Sequence, residues 1–350
     1  YNKNLNLITA KGNLKVKDKD RYVELYSDYI KYLRNEDQIF TYDNSKAVDL
    51  QDSSQITAKD FEYYLKENLF RAKNNVIIEN EIENYKIKTE KIIYYLNEEK
   101  IITEGKTSAE VHSKYNLVSE NVTFLKKIMN LSSEKKTTIT DKNNLYNLER
   151  FNYQINEEQL KGENIIVSTN YNQPNSDRFY FSSGIINLNS QNFIAKNTKI
   201  KIHNTVFGNP ENAPRLYGIS SKKLDNIITV NKGVFTSCKE SDNCPPWSIQ
   251  ARKVKHDKNK KQLIYDNAVL KIYNFPVLYF PKFFHPDPSV ERQSGFLKPQ
   301  INSSDELGDS IHIPYFHVIS PNKDITFKPT LFNNGIKMFQ NEYRQKNESS

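Results

Sequence analysis

The groups able to do covalent chemistry are few and scattered. His285, in His285-Pro286-Asp287-Pro288, sits beside a carboxylate and has the makings of a general base. Rigid turn structure is the plainer explanation for a histidine between prolines. The six histidines form no His-x3-His pair. Gly-x-Ser-x-Gly, a phosphate loop and a dinucleotide glycine pattern are all missing. The acidic residues fall mostly in turn-like or solvent-facing stretches. Cys238 and Cys244 stand in Cys-x5-Cys with no further Cys or His at metal spacing, which argues against zinc. A small loop disulfide in an oxidising compartment such as the periplasm fits them, and two free or buried thiols remain the alternative. The expectation is a binding and transport protein, not an enzyme, with no metal and no cofactor.

The chain has 350 residues, enough for about two or three domains. It begins at Tyr1 and ends at Ser350 soon after a patterned stretch, so a fragment is expected and the missing signal peptide carries no information about export. No run of about 18 apolar residues would make a membrane helix, a test blind to membrane strands, whose apolar residues alternate with polar ones. Ten glycines and 13 prolines stand against 22 tyrosines and 19 phenylalanines, a balance that favours an all-β protein. The net charge of +8 is spread over dispersed Lys and Arg. A solvated basic surface or attraction to an anionic partner would both produce it. No signature of a nucleic-acid-binding module accompanies it.

The first half repeats. An aromatic followed by an aliphatic recurs at Tyr32-Leu33, Tyr64-Leu65, Tyr95-Leu96 and Phe124-Leu125, with a degenerate copy at Gln154-Ile155, at intervals of roughly 30 residues. Each unit reads as an extended run, a turn such as Asn97-Glu98-Glu99, and a second run through a corner such as Gly105. Asn74-Asn75 and Gly162-Glu163-Asn164 look like the same corner, where Gly and Asn tolerate positive φ. One such unit cannot bury its apolar face, whereas a stack of them can. A helix over 61–70 is the competing reading, from Phe61, Tyr64, Leu65 and Leu69. Residues 170–221 are less regular, with turns at Asn172-Gln173-Pro174-Asn175 and Gly208-Asn209-Pro210, and the sheet is expected to continue through them.

Residues 275–299, FPVLYFPKFFHPDPSVERQSGFLKP, are the most distinctive. Pro276, Pro281, Pro286, Pro288 and Pro299 remove backbone donors, so an irregular crossing between two differently built regions is expected. Three strands follow at 310–319, 324–332 and 336–344, with Asn333-Asn334-Gly335 as a hairpin signal. In the middle strand Ile325, Phe327, Pro329 and Leu331 alternate with Thr326, Lys328 and Thr330. That alternation suits a barrel wall between lipid and a wet lumen, and equally a soluble sandwich.

Several of these elements together resemble the LPS-assembly protein LptD (organic solvent tolerance) family. They are Phe235-Thr236-Ser237-Cys238, Trp247, His256-Asp257, Leu278-Tyr279-Phe280-Pro281, Arg292 and Ser294-Gly295-Phe296-Leu297-Lys298-Pro299. The resemblance is specific over 233–343 and weak over the repeats at 20–169, which are similar to the OstA/LptA-type domain. It implies an all-β fold, an OstA/LptA-like β-jellyroll folded like a taco shell, followed by the first strands of an outer-membrane β-barrel. The expected division is a repeat-built periplasmic jellyroll at 1–232, its end and the crossing segment at 233–299, and barrel strands at 300–350.

The function so implied is LPS transport and assembly at the outer membrane, without covalent chemistry. LPS acyl chains need shelter from water, at about 0.8 kcal/mol per exposed CH₂. Tyr63, Leu65, Ile92, Tyr94, Leu96 and Phe124 are candidates for a hydrophobic groove, and ordinary core packing is the plain alternative. Pro314 and Pro329 interrupt candidate strands and match family prolines linked to a lateral gate; edge protection is the alternative. Implied partners are an LptE-like lipoprotein, an LptA-like periplasmic bridge protein and the outer membrane, with no nucleic acid. The family ties its periplasmic domain to the end of the barrel by disulfides between distant cysteines. Here Cys244 lies close enough to Cys238 for a local bridge to replace that tie, the arrangement favoured; pairing with cysteines beyond Ser350 is the other. A soluble LptA-like bridge and a secreted β-solenoid adhesin are the rival functions.

Overall fold

The computed structural model describes residues 1–2, 6–203, 212–241, 246–287, 290, 292–297 and 299–347. Cys244, Pro288, Lys298 and the expected turn at Gly208-Asn209-Pro210 lie outside them. The described chain is all-β: its helical elements are two short 3₁₀ turns, Leu96–Glu98 and Lys126–Ile128. The helix weighed for 61–70 is instead the end of strand Gln55–Tyr64 and the start of Leu69–Asn80.

A 22-stranded sheet runs from Leu7–Asp18 to Phe275–Pro286. Successive strands pair antiparallel with their neighbours in sequence, from Leu7–Asp18 on Val23–Leu33 to Gln262–Ile272 on Phe275–Pro286. Most strands bend midway. The ladder slips between Tyr26 and Tyr29, Tyr42 and Ser45, Thr57 and Asp60, and Lys73 and Val76. Further on, rungs split outright: Lys100–Glu104 and Lys106–Val111 are one strand broken at Gly105. The expected corners adopt positive φ, at Asn74, Asn75, Gly105 and Asn164.

The bends double the sheet on itself around an apolar interior. Tyr85 on one limb packs edge-to-face on Phe124 of the other, 5.2 Å between centroids, and Tyr115 meets Tyr153 in the same way. Phe61, Ile78, Ile87, Ile101 and Leu160 are buried with them. Alternation is strict in Tyr115–Glu120, where every second side chain is covered. Bending breaks ladder hydrogen bonds, and buried hydroxyls line the fold to compensate. Thr41 and Ser45 are 2.7 Å apart, Ser45 donates to the Lys59 carbonyl, and Thr103 accepts from the Val122 N–H at 2.8 Å.

The repeat seen in the sequence is a column of stacked turns. Leu65 N–H donates to the Asp37 carbonyl, Leu96 to Asn68, Lys126 to Glu99 and Ile155 to Met129, at 2.9 to 3.0 Å. Every acceptor residue has φ near +50°. The aromatic-aliphatic marks thus fall where each strand enters its turn.

The expected irregular crossing is regular over its first half. Phe275–Pro286 is a twelve-residue strand paired, among the described residues, only with Gln262–Ile272. Prolines 276, 281 and 286 are tolerated because the strand is an edge, with one side free of ladder partners. Pro276 also stands at a register slip.

The second sheet is a separate antiparallel meander. The three expected strands are present, the first split into Gly308–His312 and Tyr315–Ser320, then Lys323–Phe332 and Lys337–Gln345. A further strand precedes them, in two pieces, Gly295–Phe296 and Gln300–Ser304, so the Ser-Gly-Phe-Leu motif enters this sheet.

Candidate functional site

Because each strand is bent, its two turn-bearing ends form the two lips of the folded sheet. Between them lies a cavity of about 290 Å³. Val23, Ala47, Ile56, Tyr63, Phe70, Tyr94 and Leu96 supply its apolar wall, and Arg21, Asp49, Asp52 and Lys126 its polar rim. Of the groove candidates, Tyr63, Tyr94 and Leu96 meet here. Leu65 lines a neighbouring cleft with Ile30, Tyr32 and Ile39. Ile92 and Phe124 are wholly buried in the core.

Polar contacts cross between the lips at intervals along the stack. Arg21 donates through Nε to Asn68 Oδ1 at 2.8 Å and through its terminal nitrogen to the Leu65 carbonyl at 2.9 Å. Lys126 Nζ lies 2.6 Å from Asp49 and 2.8 Å from Asp52. Glu158 accepts from the Tyr115 hydroxyl at 3.0 Å, with His112 beside it. Asp177 accepts from the backbone and ring of His203, and Lys258 Nζ reaches it from the opposite lip at 3.3 Å. Burial pulls the Lys126 ammonium towards losing its proton, but Tyr94, Asp49 and Asp52 outweigh it and hold its pKa above the usual lysine value. Burial pushes the Tyr63 and Tyr85 phenols well up, so both stay neutral. Sequence reasoning missed Lys126 and its carboxylates. Lys126 follows the Phe124-Leu125 mark as Lys66 follows Tyr64-Leu65, yet the Lys66 side chain is 65% exposed and that of Lys126 only 9%. The repeat alone does not distinguish an inward from an outward lysine.

His285 belongs to a strand, not a turn. Its ring packs among Phe235, Tyr265 and Phe283, with Nε2 2.7 Å from the Tyr265 hydroxyl. Burial pulls its pKa down, so it is neutral. Asp287, the carboxylate it was read beside, pairs with His256. Cys238 is a half-buried thiol with Sγ 3.7 Å from the Trp247 carbonyl oxygen. No group of three or more His, Cys, Asp or Glu among the described residues is placed to hold a metal ion.

In the second sheet the polarity is reversed. On Lys323–Phe332 the polar Asp324, Thr326 and Thr330 are buried, while Phe327 and Leu331 are exposed. Cross-strand neighbours continue the exposed apolar face: Leu331 opposes Ile311, Ile311 opposes Ile301, and Pro329 opposes Phe339. Asp324 is held on the covered face by Arg344 Nε at 2.8 Å and by Arg292, which also donates to the Pro321 carbonyl at 2.7 Å. A soluble sandwich buries its apolar face; a membrane-barrel wall presents it outward. Pro314 lies in the two-residue break between Gly308–His312 and Tyr315–Ser320. Pro329 lies within Lys323–Phe332 on the strand facing that break. A single bond from Ile313 N–H to the Pro329 carbonyl, 3.2 Å, spans the gap. Pro329 is therefore not on an edge strand: its strand is paired on both sides.

No protein-family model matches the chain. Over 110 residues, 31% of its length, it is 34% identical to the LPS-assembly protein LptD of Polaromonas sp. (strain JS666), covering 13% of that protein. Over 131 residues it is 32% identical to LptD of Pseudomonas aeruginosa, covering 14%, and over 148 residues 32% identical to LptD of Paraburkholderia xenovorans, covering 18%. Over these stretches the chain is similar to LptD proteins. The matches span less than a fifth of each LptD protein. The all-β architecture, a stacked jellyroll followed by a sheet with outward apolar side chains, is the one the LptD resemblance implies.

Proposed function

We propose that this chain carries lipopolysaccharide from the periplasm into the outer membrane. The folded sheet receives the acyl chains between its lips, and the second sheet begins a barrel whose wall releases them sideways into the outer leaflet. The observation that carries this reading is the polarity reversal along one chain: an apolar interior in the first sheet, an apolar exterior in the second. A lipid carrier joined to a membrane wall requires both. On this reading residues 1–232 and the end of the jellyroll at 233–299 lie in the periplasm, and 300–350 enter the membrane.

The seam at Ile313-Pro314 and Pro329 is the weak line of the second sheet, since two prolines leave it short of donors. It supports assigning a lateral gate to these residues. Among the described residues Leu7–Asp18 pairs with Val23–Leu33 and, on its other side, meets only Asn2, through a bridge at Leu7, so the rest of that side can accept a strand from an LptA-like bridge protein. An LptE-like lipoprotein filling the barrel completes the proposed assembly. The test is photocrosslinking in cells from a photoreactive residue at Tyr94 in the full-length protein. LPS adducts are expected there and not from the outward-facing Lys88. Their absence from Tyr94, Leu96 and Tyr63 together would refute the groove.

A further inference from the structure

The cross-lip contact at Lys126 does more than hold the fold. We propose that Lys126 is a phosphate ligand held in reserve: it is clasped by Asp49 and Asp52 of the opposite lip, and an incoming phosphorylated acyl lipid opens the lips by replacing those carboxylates. This rests on the groove reading above and adds how the groove is kept shut and what opens it.

The geometry of the three charges is unequal. The Lys126 side chain is 9% exposed, whereas those of Asp49 and Asp52 are 24% and 38% exposed. If the clasp opens, the aspartates regain water with little movement. Lys126 does not, so it needs another anion, because a buried charge left alone is far costlier than a paired one. A lipid phosphate supplies that anion while its chains enter the apolar wall directly beneath, at Tyr63, Phe70, Tyr94 and Leu96. A free carboxylate or phosphate without chains gains only the first of these two contacts.

A second feature points to the same ligand. Tyr85 is buried, and its hydroxyl has no hydrogen-bond partner among the described residues. It lies within electrostatic reach of Lys126 and Asp52, and burial keeps it protonated as a donor. An unsatisfied buried hydroxyl needs an explanation, and an acceptor that arrives with cargo is one. A phosphate, with several oxygens, can meet the Lys126 ammonium and still accept from a further donor. The clasp itself is weak ground for a purely stabilising role, since buried ion pairs contribute little net stability.

The experiment uses the full-length protein with a photoreactive residue at Leu96, and reads the initial rate of crosslinking to bis-phosphorylated lipid A and to its dephosphorylated form. The unsubstituted clasp should load the phosphorylated lipid on the order of tenfold faster, a ratio that needs no further variant to read. Asp49→Asn/Asp52→Asn should speed loading of the phosphorylated lipid by a similar factor. Lys126→Met, which removes the charge while keeping the bulk, should abolish the preference and load both lipids alike. Equal rates for both lipids with Lys126 intact, or a preference that survives Lys126→Met, overturn the clasp and leave the groove standing. No crosslink to either lipid in any form overturns the groove reading, and the clasp with it.

Discussion

A lysine placed on the outward face of the second sheet separates a membrane wall from a soluble one by magnitude. Lys323–Phe332 has ten residues. At ~3.4 Å per residue and a tilt of ~40°, it covers ~26 Å along the membrane normal, the height of the apolar band of an outer-membrane barrel. Its midpoint falls between Phe327 and Lys328. Phe327 therefore sits near the midplane and Leu331 roughly 9 Å away, close to an interface. Phe327→Lys is expected to cost about 2–4 kcal/mol, and Leu331→Lys about 1 kcal/mol or less. On a soluble sheet both substitutions are ordinary surface changes, within about 0.5 kcal/mol of zero. The assay is folding of the full-length protein into lipid vesicles across a urea series, scored by the heat-modifiable gel shift of the folded barrel. Thr330→Val on the covered face is the control: it should lose the hydrogen bond to His312 Nδ1 (2.9 Å) without any dependence on depth. Equal costs for Phe327→Lys and Leu331→Lys, or none for either, would sink the assignment of this sheet to a membrane wall.

Two further outcomes follow from the folded sheet. The contact of Asp177 with His203 and Lys258 should be strongest in a defined pH window. Burial raises the Asp177 carboxyl, but hydrogen bonds from His203 and the charge of Lys258 outweigh it and hold the pKa down, so its contribution is present above about 3.9 and lost as pH falls below. The hydrogen bond to Asp177 lifts the His203 pKa against burial, with Asp287 adding to it and Lys258 opposing. That contribution is complete below about 6.5 and lost as pH rises past the elevated folded value. Melting temperature is therefore expected to fall from pH 6 to pH 9, and to fall less in His203→Gln; identical slopes would remove this contact from the balance. At the bend, Gly105 has φ +84° and open space around its α-carbon. Gly105→Asn should cost a few tenths of a kcal/mol, as Asn already serves at bends 74, 75 and 164, whereas Gly105→Val should cost about 1–3 kcal/mol. Equal midpoints for the two variants in urea would show that strain there is negligible.

What could be read in the sequence was whatever repeats locally. Leu65, Leu96 and Ile155 mark the stacked turns because each donates to a residue at positive φ in the turn below, and such turns select particular residue types. The corners at Asn74-Asn75, Gly105 and Gly162-Glu163-Asn164 were legible for the same reason. Four things were not. Prolines 276, 281 and 286 were read as breaking a strand, because proline reports a missing donor and not whether a neighbour needed it. The short strands Gly295–Phe296 and Gln300–Ser304 were hidden by the neighbouring Pro299 in the same way. The alternation at 324–332 gave two faces without saying which was covered, and the structure turns the polar one inward. Lys126, Asp49 and Asp52 come together from turns far apart in sequence, a pairing that only the doubled sheet creates.

The two ends of the stack are built differently, and the difference sets a direction for transport on the proposed reading. An edge strand offers its unpaired N–H and C=O groups to any extended segment. Phe275–Pro286 carries three prolines, each missing a donor, so a strand added there would find a broken ladder. Leu7–Asp18 carries none, and its bend at Gly12, φ +91°, matches the bends of the strands it stacks on. A partner with the same bent-strand architecture can therefore extend the stack at Leu7–Asp18 and not at Phe275–Pro286. Replacing alternate residues of Leu7–Asp18 by proline, at Thr9 and Lys11, whose backbone donors face away from Val23–Leu33, should abolish pairing with a bridge protein while leaving the interior packing of Val23–Leu33 protected from hydrogen exchange. Undiminished pairing in that variant would show that the partner docks elsewhere, and the stack would then have no preferred end.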